Sequence, residues 1–179
     1  DAIQFIDTSD RAFTDEFLKL SGYLDVIIPR GGKGLIKHVT ENSHVPVIQT
    51  GASVVHIYVD REFDIQKAVP IIVNSKTRRV SICNALDVLL VHKNSASSLL
   101  PALAEKFKEH SVEIRACERA FPALNGYPNL KNLAPIYYDT EFLDYIMAVK
   151  IVDGLDEALE HIKEHSLKHS EAIITENEA

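Results

Sequence analysis

The amino-acid sequence predicts an α/β fold, a parallel-rich sheet flanked by helices. Three observations carry that expectation. Short apolar runs alternate with segments of helical spacing along most of the 179 residues. Several of those segments have recognisable ends, with Gly22 just past the first and Asp64 and Asp153 just ahead of later ones. Apolar residues make up 46% of the chain and charged residues 25%, which is enough at this length to bury a core in one domain or two small ones, and too apolar for a disordered chain.

The elements follow in order. Residues 3–6 read as a strand and residues 14–20 as a helix closed by Gly22. Residues 24–28 form an apolar run ended by Pro29, the pattern of a buried strand. The turn Arg30-Gly31-Gly32-Lys33-Gly34 follows, and Leu35, Ile36 and Val39 then fall at helical spacing. Residues 46–49 and 54–59 are strand candidates. Asp64 caps a helix from residue 65 to about residue 74, kinked at Pro70. Residues 86–92 read as a strand, 98–110 as a helix and 112–116 as a strand. Residues 120–132 carry Pro122, Asn125-Gly126 and Pro128, so they read as loop. Residues 146–152 are a strand, Asp153 caps a helix reaching about residue 165, and residues 172–175 form a further strand.

Composition narrows the function classes. The 19 basic residues are outnumbered by 26 acidic ones, for a formal net charge of −7, and no long basic run exists, so no nucleic-acid partner is expected. No apolar run approaches the roughly 20 residues that span a bilayer, so no membrane partner is expected either. Two cysteines do not make a disulfide framework, and a reducing, cytoplasmic compartment is the simpler expectation. The chain starts without Met, basic flank or long apolar stretch, which suggests a piece of a longer protein and no signal peptide.

Few residues invite chemistry. Cys83 sits at a joint between helix and strand with Lys76, Arg78 and Arg79 close by in sequence. Such a joint can bring a thiol to the edge of a sheet, and nearby cations favour the attacking thiolate; the competing reading is a buried apolar cysteine, which is the reading for Cys117. The strand, glycine turn and helix around Gly31 and Gly32 can aim backbone N–H groups at a phosphate, or can be a plain helix entry. The turn lacks both the dinucleotide fingerprint and the Gly-Lys-Ser/Thr of a P-loop. His161, His165 and His169 fall four residues apart; a solvated histidine face is the expectation, and no metal is assigned.

Several stretches together resemble the γ-glutamyl phosphate reductase family of the aldehyde dehydrogenase superfamily. They are Asp25-Val-Ile-Ile-Pro-Arg-Gly-Gly-Lys-Gly-Leu-Ile36, Pro46-Val-Ile-Gln-Thr-Gly51 with His56-Ile-Tyr-Val-Asp60, and Val73-Asn-Ser-Lys-Thr-Arg-Arg79 with Cys83-Asn-Ala-Leu86 and Leu89-Leu-Val-His92. Thr140-Glu-Phe-Leu-Asp144, Ala148-Val-Lys-Ile-Val-Asp153 and His169-Ser-Glu-Ala-Ile-Ile-Thr-Glu176 complete the set. Order and spacing match along nearly the whole chain. The resemblance implies an aldehyde dehydrogenase-like fold, with residues 1–52 as the second part of a Rossmann-like NADP-binding domain. Residues 53–179 would be the cysteine-bearing catalytic domain, C-terminally incomplete. The chain would be less than half of a family member and inactive alone.

The family's activity is the second step of proline biosynthesis, the NADPH-dependent reduction of γ-glutamyl phosphate to glutamate 5-semialdehyde and phosphate through a cysteine thioester. The resemblance puts the nucleophile on Cys83, cofactor contacts on Gly31, Gly32 and Glu141, and substrate contacts on Lys76, Arg79 and Asn84. It implies NADPH as cofactor, a homo-oligomeric parent and association with glutamate 5-kinase. The polyanionic substrate needs local cations, with Arg30, Lys33, Lys76, Arg78 and Arg79 as candidates. Oxidising members of the superfamily place a water-activating glutamate near Gln49, and a glutamine there suits a reductive enzyme or has no role. Two departures are Val80, where the family usually has proline, and residues 51–55, which differ from its usual turn. The alternatives are the reductase segment of a bifunctional pyrroline-5-carboxylate synthase and a non-catalytic binding module.

Overall fold

Residues 86–92 carry Leu86, Val88, Leu89, Leu90 and Val91, each without measurable solvent exposure. A strand so apolar on both sides must be covered on both faces, the situation of a central strand in a parallel sheet. In the computed structural model, which describes residues 3–8, 10–49 and 53–178, that strand lies at the centre of a six-stranded parallel sheet. The strands are β1 (His56–Val59), β2 (Val88–His92), β3 (Glu113–Ala116), β4 (Leu130–Asn132), β5 (Ile146–Val152) and β6 (Glu171–Ile174), in the order β4-β3-β5-β2-β1-β6. The chain divides into two units, residues 1–52 and residues 53–179, and the sheet belongs to the second.

Alternation along each strand sorts side chains to two cores. Ile57, Val59, Leu89, Val91, Met147 and Val149 face one side. There they meet Ala68 and Ile72 of α3 (Ile65–Thr77), and Leu99, Leu100, Leu103 and Phe107 of α4 (Ala96–Lys108). Tyr58, Val88, Leu90, Ala148 and Val152 face the other, with Ala158 and Ile162 of α5 (Leu155–His165) and with Tyr138 and Phe142. The Asp64 carboxylate accepts the Gln66 N–H at 2.8 Å and caps α3 as expected, and the helix runs on past Pro70 to Thr77.

Three sequence expectations in this unit are corrected. Residue 154, not Asp153, is the N-cap of α5; Asp153 instead pairs through its carboxylate with Arg119 at 2.8 Å and Lys93 at 3.4 Å, while its N–H is held by Glu157. The expected loop at 120–132 contains a 3-10 turn (Phe121–Leu124) and the strand β4, because the turn residues there punctuate two short elements. His161 is 3% exposed and packed inward, so the histidines do not form a solvated face.

The first unit is smaller. It holds α1 (Arg11–Phe17), capped by Asp10, and α2 (Lys33–Asn42), whose packing buries Leu18, Val39 and Val45. The expected strands at 24–28 and 46–49 meet in one parallel bridge, Ile27 to Val47, and residues 3–6 are exposed and irregular. An apolar run becomes a strand only where neighbouring backbone supplies a ladder.

Candidate active site

In a parallel sheet every strand starts at the same edge. The segments leading into β1, β2 and β5 therefore lie side by side, since those strands are neighbours in the order β5-β2-β1. They carry Ser53, Cys83 and Glu141. Cys83 sits on a turn between α3 and β2 and is exposed to solvent. Asn84 is exposed beside it.

The turn is tied down from beneath. The Leu86 N–H donates to the Ser75 carbonyl at 3.0 Å, and the Lys76 ammonium donates to the Leu86 carbonyl at 2.9 Å. Ser53, 1% exposed, donates its hydroxyl to the carbonyl of Cys83 itself, and the same oxygen lies 3.2 Å from the Glu141 carboxylate. Asp87, 2% exposed, joins the three segments: its carboxylate accepts the Val55 N–H at 3.2 Å ahead of β1 and the Phe142 N–H at 3.1 Å ahead of β5. These ties fix cysteine and glutamate relative to one another through main-chain groups.

Lys76 is where structure and sequence reasoning part most. It has no exposed surface and its ammonium lies 6.0 Å from the Phe142 ring centroid. Burial brings its pKa down to about 8, against the opposing pull of Asp87 and Asp144. Burial likewise pushes the Asp87 carboxyl up, opposed by its two backbone hydrogen bonds and by Lys76. Lys76 thus supports the turn from inside and does not stand open to an anion in solution. Arg78 and Arg79 are exposed at the end of α3, and among the described residues neither side chain has a hydrogen bond or ion pair.

Gly31 and Gly32 belong to the first unit. They open α2 as the sequence predicts, with Gly32 at the N-cap and no side chain capping it. Gly31 has φ of +155°, and a Cβ there would stand 2.8 Å from a Leu35 methyl, so the turn requires glycine. Gln49, in the same unit, is exposed and accepts the Thr40 hydroxyl at 3.1 Å. Gly51 and Ala52 lie outside the described residues.

The opposite edge of the sheet offers less. Ligands commonly sit at the carboxyl ends of parallel strands. Here the polar groups at those ends satisfy one another: Tyr58 and Thr175 donate to the Asp60 carboxylate, Ser95 to its carbonyl, and Arg119 and Lys93 close on Asp153. Among the described residues no group of three His, Cys, Asp or Glu side chains is arranged to hold a metal ion.

Sequence reasoning missed Ser53 and Asp87. An aspartate entering an otherwise apolar strand was a usable signal for the second. For Ser53 the only signal was its place in the stretch that departs from the family's usual turn.

No family model matches the chain. A curated γ-glutamyl phosphate reductase of Petrotoga mobilis is 52% identical over 177 residues, covering 99% of this chain and 42% of the relative. The crystal structure of the γ-glutamyl phosphate reductase of Thermotoga maritima superposes with a TM-score of 0.90 at 44% identity, over 99% of this chain and 42% of that one. The chain resembles a fragment of γ-glutamyl phosphate reductase. It spans about two-fifths of the length of these relatives. An acetylating aldehyde dehydrogenase of Geobacillus thermoglucosidasius, 22% identical with a TM-score of 0.68, extends the likeness of fold to the aldehyde dehydrogenases. The fold is aldehyde dehydrogenase-like: a parallel sheet flanked by helices, corresponding to part of the full-length reductases.

Proposed function

We propose that this chain carries the cysteine-bearing catalytic part of an NADPH-dependent γ-glutamyl phosphate reductase of the cytoplasm. The observation that carries the reading is an exposed Cys83 on a turn anchored through its own carbonyl, with the exposed guanidinium groups of Arg78 and Arg79 nearby in sequence.

An acyl phosphate is an activated electrophile. The Cys83 thiolate attacks the γ-carbonyl, the C–O bond to phosphate breaks, and inorganic phosphate leaves with that electron pair, giving a thioester. Arg79, with Arg78, balances the charge of the phosphate, and a guanidinium is suited to this by its planar pair of donors. Asn84, the next residue in sequence and exposed, offers a neutral donor. The aldehyde forms when the reduced thioester carbon expels the thiolate.

NADPH, when bound, supplies the hydride that reduces the thioester. Two features of the chain fit that cofactor: an uncapped helix N-terminus behind the Gly31–Gly32 turn, suited to a phosphate, and the carboxylate of Glu141, suited to accept from ribose hydroxyls. Lys76 and Asp87 act on the turn from within the fold. Gln49 has no basic group to activate water against the thioester.

The test uses the two cysteines as each other's control. Iodoacetamide at pH 7, read by peptide mass spectrometry, labels Cys83 much faster than Cys117, whose sulfur is half-buried and takes the Ile151 N–H at 3.4 Å. In a full-length reductase carrying this segment, Cys83→Ser and Cys83→Ala both abolish reduction of the acyl phosphate and leave the fold intact. Retained activity in Cys83→Ala ends the reading.

A further inference from the structure

Ser53 is the one buried hydroxyl among the described residues that stands between the two residues assigned to nucleophile and cofactor. Its oxygen is within hydrogen-bond reach of the Cys83 carbonyl and of the Glu141 carboxylate, and it is 1% exposed, so bulk water does not compete freely for it. A serine hydroxyl has one proton to donate. Two acceptors, one of them charged, share that one donor. Whichever acceptor holds the proton leaves the other to find a donor elsewhere or to go without.

We propose that Ser53 is a positioning residue for Cys83, its single proton divided between the cysteine turn and Glu141, so that whatever satisfies Glu141 fixes the cysteine. When Glu141 is unoccupied, its charge competes with the Cys83 carbonyl for the proton and the turn is held less firmly. When a ligand bearing a vicinal diol donates two hydrogen bonds to Glu141, the carboxylate no longer needs the serine, and the proton passes wholly to the Cys83 carbonyl. Binding on the glutamate side is thereby coupled to the geometry of the nucleophile, and by reciprocity an ordered cysteine turn favours the diol. The remaining ties are not divided in this way: Lys76 to Leu86, and Asp87 to Val55 and Phe142, hold the frame within which the proton moves. The coupling rests on the reductase reading only in its choice of ligand.

The cysteines report the coupling in this chain without cofactor or substrate. Ser53→Ala frees the turn and raises the rate of Cys83 alkylation by about three- to tenfold, the worth of one neutral hydrogen bond, while the Cys117 rate stays put. Ser53→Thr, which keeps the hydroxyl, returns the rate towards the original. Glu141→Gln is the decisive arm. Its amide can donate to the serine oxygen, which releases the serine proton to Cys83, so the variant slows Cys83 alkylation. In the Ser53→Ala background the same change does nothing, because no proton is shared. A Glu141→Gln effect of equal size in both backgrounds overturns the proposal, as does an unchanged Cys83 rate in Ser53→Ala. Global unfolding by Ser53→Ala shows as fast labelling of Cys117, and the single Glu141→Gln variant then decides: slower Cys83 supports the coupling, an unchanged rate ends it. Failure here leaves the thioester chemistry untouched, and retained activity in Cys83→Ala removes that chemistry without touching the coupling.

Discussion

Acidification from pH 7 to pH 5 destabilises this protein through two buried histidines. His56 on β1 is wholly buried and His161 on α5 is 3% exposed, their rings edge to face with centroids 5.5 Å apart. The His56 Nδ1 lies 3.0 Å from the Val54 carbonyl and so must carry the proton, which leaves its Nε2 as an acceptor. The His161 Nδ1 lies 3.2 Å from the Lys150 ammonium and so accepts, which leaves its Nε2 as a donor. Neither Nε2 has a hydrogen-bond partner among the described residues. Burial lowers His56 to about 4, opposed by the Val54 carbonyl, Glu171 and Asp139, with His165 adding to the depression. Burial lowers His161 to about 3, helped by Lys150, His165 and His56. In the unfolded chain both return to about 6.5. Between pH 6.5 and 4 the unfolded state therefore binds protons that the native state refuses. Stability is fully present above pH 6.5 and is lost as pH falls towards 4, at up to about 1.4 kcal/mol per pH unit for each histidine. Between pH 6.5 and 5 the pair costs about 3 kcal/mol, a large share of a typical 5–15 kcal/mol. The chain has no Trp, so urea unfolding followed by circular dichroism at pH 7, 6 and 5 is the assay. The slope should fall by about half in His56→Phe and in His161→Phe. A slope that stays the same in both variants refutes the linkage.

Three further outcomes are expected. Lys76→Met removes the donor to the Leu86 carbonyl and destabilises the protein by about 1–3 kcal/mol in urea; because the native lysine is lowered to about 8 and the unfolded one is not, wild type gains stability over the variant as pH rises from 8 to 9.5. Glu141→Ala in a full-length reductase carrying this segment raises KM for NADPH or lowers kcat by about tenfold, on the order of 1.4 kcal/mol, and unchanged kinetics refute the cofactor role. The 179-residue chain by itself shows no turnover with NADPH and acyl phosphate, since hydride transfer needs the donor held in line; steady product formation at ordinary enzyme rates defeats this.

What sequence could show about the fold followed from where the chain is buried. β5 was legible to the residue, because its run is apolar at every position but Lys150 and both its faces are covered. β2 and β1 were legible within two residues for the same reason. The expected strands in the first unit were not realised, since residues 24–28 and 46–49 have the right residues but only one another's backbone to bond. Asp153 was misassigned because an aspartate before a helix reads as a cap from sequence, whereas the carboxylate found two cations, Arg119 and Lys93, that are far away along the chain.

The candidate site divides along a similar line. Cys83 and Glu141 were legible because their sequence surroundings resemble those of a known family, and each falls on a segment entering a central strand. The burial of Lys76 was not legible: its match to the family pattern placed it among the anion binders, but the helical period turns it inward beneath the turn, where its stem packs and its ammonium meets a carbonyl. Ser53 and Asp87 escaped because most of what they bind is main chain. A side chain that accepts from Val55 and Phe142, or donates to the Cys83 carbonyl, leaves no mark on the partner's identity, since every residue offers the same N–H and C=O. The sequence therefore displays the groups that would meet a ligand, while the groups that hold them at the right distance become visible only once β5, β2 and β1 lie side by side and their leading segments share one edge.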